Sequence, residues 1–70
     1  MPLVLAPIGK NLQVIKIVTD VSTKKHLANL GIVVGSELSI ISVTEGSVIC
    51  LVKDGRLALD GVVARKIFVK

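Results

Sequence analysis

The sequence predicts a mainly β fold: a small, partly open five-stranded barrel, with one α-helix between strands 1 and 2 and a short helical turn before the last strand. Three observations point to it. Apolar residues make up 51% of the 70 residues but aromatics only 1%, Phe68 alone. The core must therefore be built from Leu, Ile and Val, and the β-branched members suit a pleated surface. Short apolar runs recur between turn residues. One helical run stops at a glycine, Gly31, and a second glycine, Gly35, follows before a strand begins.

Each element has its own signal. Pro2, Pro7 and Gly9 mark an irregular N-terminal arm, whose Leu3, Leu5 and Ile8 are expected to pack on the core. Leu12 to Val18, "LQVIKIV", reads as the first strand, with Leu12, Val14 and Lys16 on one face and Ile15 and Ile17 nearer the other. Asp20 or Ser22 is placed to cap a helix from about Ser22 to Leu30. Leu27 and Leu30 share one face of it, and Lys24, Lys25 and His26 begin its polar side. Gly31 stands where a left-handed C-cap belongs. Ile32 to Val34 form a bridge, and Gly35 turns the chain.

Glu37 to Thr44 is the second strand, with Leu38, Ile40 and Ser42 alternating against Ile41 and Val43. Glu45-Gly46-Ser47 is a turn, and Val48 to Lys53 is the third strand. Asp54-Gly55 is a strong hairpin signal, because both central residues of a type I′ turn need positive φ. Arg56 to Leu59 returns. Asp60 caps a helical turn over "GVVARK", and residues 67 to 69, "IFV", close as the last strand.

The totals bound the function. The chain reads as a single domain, residues 1–70, with a core at the small end of what folds alone. One cysteine, Cys50, excludes an internal disulfide and a cysteine zinc cluster, and the lack of staples favours a reducing cytoplasm. The apolar stretch "LVLAPI" is short, lacks a basic lead-in and contains Pro7, so it does not read as a signal peptide. No apolar run approaches a membrane span, and no direct membrane insertion is expected. The net charge of +4 is spread over lysines and arginines in runs of no more than two. With no aromatics to stack on bases, nucleic acid is not an expected partner.

No catalytic constellation is visible, and the chain reads as a non-enzyme without a cofactor. His26 has no second His, and no Asp or Glu three or four residues away, so it reads as a solvent-facing helical residue rather than a metal ligand. Cys50 lies mid-strand with Val48 and Val52 on its face and reads as a small buried apolar group. Two surfaces stand out for partner binding. One is the polar face of the helix: Thr23, Lys24, Lys25, His26 and Asn29. The other is a rim of branched apolar residues, Val33, Val34, Val62 and Val63. That rim also makes a homodimer conceivable.

The order of elements and the segment "NLGIVVGSEL" resemble the ferrous iron transport protein A family, FeoA. Leu27, Leu30, Gly31, Ile32, Gly35 and Leu38 fit its pattern of leucines and glycines, and Leu57, Leu59, Ala64 and Ile67 fit its second pattern. Val34 stands in a turn where the family more often has Thr-Pro-Gly. The resemblance implies an SH3-like barrel acting as a cytoplasmic accessory of FeoB, the membrane GTP-dependent ferrous iron transporter. It also leaves an alternative: a stand-alone metal-responsive or transition-metal-binding regulatory module, related to the C-terminal domain of DtxR-type repressors.

Overall fold

In a computed structural model, residues 1–53 and 55–70 are described. The chain runs through a 3₁₀ turn η1 (Leu3–Leu5), β1 (Leu12–Ile17), α1 (Val21–Asn29), β2 (Glu37–Thr44), β3 (Ser47–Val52), β4 (Gly55–Asp60), α2 (Gly61–Ala64) and β5 (Ile67–Val69). The strands form one antiparallel sheet in the order β4-β3-β2-β1-β5. This is the expected small, partly open barrel. The two edge strands, β4 and β5, are bridged by helical segments. η1 packs on β5 and α2, and α2 packs on β3 and β4.

The core is aliphatic, as the composition requires. Leu12, Val14, Leu38, Ile40, Val48, Cys50, Leu59, Ile67 and Val69 are buried from the strands, joined by Leu27 of α1, Ile32 and Ala64. Alternation predicts most of these positions, but two bulges break it. In β1 the register slips between Val14 and Lys16, so that Ile17 pairs with the buried Ile67. Lys16 therefore does not share the face of Val14: it is exposed, and Ile17 packs on the core in its place. In β2 a second slip falls between Ile40 and Ser42, while Ile41 is exposed on the face opposite Leu38 and Ile40, where alternation puts it. A bulge adds one residue to one strand, and every side chain beyond it changes face.

The N-terminal arm is more ordered than its prolines and glycine suggest. Pro2 bridges Phe68, the Met1 ammonium donates to the Val69 carbonyl at 2.9 Å, and the Val69 N–H donates to the Met1 carbonyl at 2.8 Å. Leu3 and Ala6 enter the core, whereas Leu5 (72% exposed) and Ile8 (58%) do not. A 3₁₀ turn repeats every three residues, so Leu3 and Ala6 share a side that Leu5 cannot reach.

The hairpins are tighter than the turn residues alone indicate. Thr44 pairs with Ser47, leaving Glu45 and Gly46 as the loop, with Gly46 at φ +112. Gly55 pairs with Val52 and is thus the first residue of β4 rather than a central turn residue. Asp54, the other half of that signal, lies outside the described residues. At α2, the Asp60 carboxylate accepts from the Val62 N–H at 2.7 Å, the cap expected of it.

Candidate functional site

The corner between α1 and β2 is built from two linked turns. α1 ends in a Schellman motif: the Gly31 N–H donates to Ala28 at 3.0 Å and the Ile32 N–H to Leu27 at 2.9 Å, with Gly31 at φ +93. Leu27 and Ile32, the two residues this motif brings together, are both buried. A β-turn follows over residues 33–36. The Ser36 N–H donates to Val33 O at 2.9 Å, and the Val33 N–H donates back to Ser36 Oγ at 3.0 Å. Gly35, at φ +96, takes the third position, where a type II turn requires positive φ. The turn projects Val33 (47% exposed) and Val34 (62%) from the barrel.

Beside this turn α1 stands partly off the barrel, and Leu27 is its one buried residue. The space between is an open groove of about 340 Å³. Ile17 and Ile32 contribute from the barrel side, Val33 and Val34 from the turn, and Val21 and Ala28 from the helix, with Lys24 and Lys25 completing the helical wall. Val21, Lys24, Lys25 and Ala28 are spaced as one helical face. Among the described residues no carboxylate lines the groove. Asp20, the α1 cap residue beside Val21, is fully exposed. The Thr23 hydroxyl holds its carboxyl below the usual carboxylate range, and Thr19, which donates to it at 3.2 Å, adds to the effect.

The two surfaces picked out in the sequence are thus divided differently in space. Lys24 and Lys25 from the helix meet Val33 and Val34 from the rim in one groove, while Thr23, His26 and Asn29 do not line it. Val62 (56% exposed) and the half-buried Val63 lie on α2, packed near η1, β3 and β4, outside the groove. Sequence reasoning missed Ile17, Val21, Ala28 and Ile32. The helical repeat of Val21, Lys24/Lys25 and Ala28 carried a signal for the wall; Ile17 carried none, because the β1 bulge decides its face.

Little chemistry is gathered elsewhere. Among the described residues no group of three or more His, Cys, Asp or Glu comes close enough to hold a metal ion. Cys50 is buried, its thiol pushed up in pKa by burial and donating to the Leu57 carbonyl at 3.6 Å. No helix is long and apolar enough among the described residues to cross a membrane.

Comparison with known proteins decides the family. The FeoA domain family matches residues 1–70, the whole chain. The chain belongs to the FeoA family. Its fold is also that of solved FeoA structures. An iron uptake regulatory protein (FeoA) in crystal form superposes with a TM-score of 0.89 at 22% identity, covering 100% of this chain and 95% of that one. The solution structure of a FeoA protein from Chlorobium tepidum gives 0.88 at 20% identity, covering 99% of this chain and 68% of that one. A FeoA-like protein from Clostridium acetobutylicum gives 0.83 at 24%, covering 100% and 84%. No curated protein sequence matches the chain.

Proposed function

We propose that this FeoA domain is a non-enzymatic accessory of ferrous iron uptake that acts in the cytoplasm by docking on the cytoplasmic region of the membrane GTP-dependent transporter FeoB. Membership of the FeoA family over residues 1–70 and the fold likeness to an iron uptake regulatory protein support the role in iron uptake. The observation that carries docking is the groove beside α1. It joins apolar side chains of the barrel, the turn and the helix to two lysines. Such concave apolar surfaces with a few polar groups are where recognition concentrates.

The reading assigns recognition to a surface prepared before binding. Hydrogen bonds fix the turn carrying Val33 and Val34 at both its ends, so little ordering entropy remains to be lost when a partner seats against it. Metal carriage has no comparable support, since no ligand cluster assembles among the described residues.

The test is a titration of the ¹⁵N-labelled domain with the FeoB cytoplasmic region from the same genome, with and without GTP. Saturable amide shifts are the expected result. Absence of any shift at saturating concentration, in both nucleotide states, would refute docking on that region.

A further inference from the structure

We infer that the groove beside α1 takes a short amphipathic segment whose apolar side chains enter the floor and whose carboxylates meet Lys24 and Lys25; this rests on the docking reading, and places that segment on the transporter's cytoplasmic side. Shape and charge together select the occupant. At about 340 Å³, the space is at the small end of the range for built pockets. It suits a few aliphatic anchors rather than a whole folded face. The half-buried Ile17 and the buried Ile32 line it from the barrel, and the exposed Val33 and Val34 from the turn. A hollow of this kind is filled by protruding side chains.

Charge then selects the segment. Lys24 and Lys25 both line the helical wall, and among the described residues nothing acidic lines the groove to answer them. The whole chain carries +4, so an acidic segment is drawn in at long range as well as on contact. A basic or neutral apolar segment would leave two ammonium groups beside the apolar contact without a counter-charge. An extended or helical segment alternating aliphatic and acidic side chains satisfies both walls, in the way helices seat in apolar grooves through spaced anchors. A flat anionic lipid surface offers the charge but nothing that enters the hollow.

The experiment uses the full 70-residue chain, ¹⁵N-labelled. Overlapping peptides spanning the cytoplasmic region of the transporter are added one at a time, followed by phosphatidylglycerol vesicles as a separate arm. The expected result is that a peptide combining Leu or Ile with Asp or Glu shifts the amides of Val21, Ala28, Val33 and Val34. Raising the salt should weaken it. The Lys24→Glu/Lys25→Glu variant, whose changes are on the exposed wall, should keep its unliganded spectrum outside α1 and bind at least about tenfold more weakly. Lys24→Gln/Lys25→Gln should fall between. Equal binding of basic and acidic peptides, or binding indifferent to both variants, overturns the inference. So do groove shifts produced by vesicles and by no peptide.

Docking on the transporter and filling of the groove can each fail without the other. If the intact cytoplasmic region binds but shifts only amides elsewhere, such as those around Val62, the groove assignment falls and docking stands. If that region does not bind at all, while an unrelated acidic amphipathic peptide of Leu and Glu fills the groove and loses affinity on lysine reversal, docking on the transporter falls and the groove chemistry stands.

Discussion

Val14 and Gly35 are joined through their backbones across the barrel corner: the Gly35 N–H donates to the Val14 carbonyl at 2.7 Å, and the Val14 N–H donates to the next residue, Ser36, at 2.8 Å. A core strand residue, 1% exposed, thereby clamps the turn that presents the apolar wall of the groove. The turn exists only because Gly35 takes φ +96. Barrel stability and groove shape consequently depend on the same pair of backbone hydrogen bonds.

Gly35→Ala is expected to destabilise the domain although its Cβ would meet no atom. The cost is conformational, about 1–2 kcal/mol for an L-residue held left-handed, and Tm should fall by about 4–8 °C for each kcal/mol in a domain of this size. Gly61→Ala is the control. Gly61 has ordinary φ, and its added Cβ would make normal contact with Gly46 at 3.5 Å. It should be neutral or stabilise by about 0.5 kcal/mol. Thermal unfolding of both variants checks the contrast, and an equal loss in the two would remove the special role of Gly35.

Leu3→Ala should cost about 2–5 kcal/mol, as expected for a leucine emptied from a core, because Leu3 is 0% exposed. Leu5→Ala, two residues on and 72% exposed, should change stability by less than about 0.5 kcal/mol. Urea unfolding of both measures how far η1 belongs to the core. Similar small losses would mean that the N-terminal arm is dispensable.

These leucines also show how far the sequence could be read. Alternation put Leu38 and Ile40 on one face of their strand, and Val48 and Cys50 on one face of theirs, because strand periodicity is local. The glycine after the helix marked the Schellman motif because positive φ is a residue property. Leu3 against Leu5 depends on a 3₁₀ turn that leaves little trace in three apolar residues. Lys16 and Ile17 exchange faces through a bulge that is set by pairing with β5, some fifty residues away. The groove combined two residues from each suspected surface, since the distance between α1 and residues 33–34 is a tertiary quantity.

Asp60→Ala removes the one side-chain cap of α2, the 2.7 Å bond to the Val62 N–H. A loss of about 1 kcal/mol is expected, with most of it recovered in Asp60→Asn, whose side-chain oxygen still accepts. Because α2 packs on β3, β4 and η1, amide exchange should quicken first in residues 61–64. Unchanged stability in the alanine variant would show that packing of Ala64 alone holds the turn.

Cys50 should resist thiol reagents while the domain is folded. Burial pushes its thiol above the ordinary value, so the folded chain keeps a proton that the unfolded chain releases at high pH. The folded state therefore binds more protons in that window, and stability is full below the unfolded value and declines as pH rises through it toward the folded one. Labelling with an aromatic disulfide reagent at about pH 8 should proceed only at the rate of opening and accelerate in urea. Rapid stoichiometric labelling in buffer would mean that the β3–β4 hairpin opens locally.

The mutual bonds between Met1 and Val69 span 68 positions of sequence. β5 lies between β1 on one side and the first residues of the chain on the other, so its three residues complete two pairings at once. A chain emerging from the ribosome holds β1 to β4 before it can close this seam, and must keep the β1 edge and the underside of Leu3 uncovered until Ile67 to Val69 arrive. Folding to completion is thus delayed to the end of this segment's synthesis, and loss of its last few residues would unseat the beginning of the barrel as surely as the end.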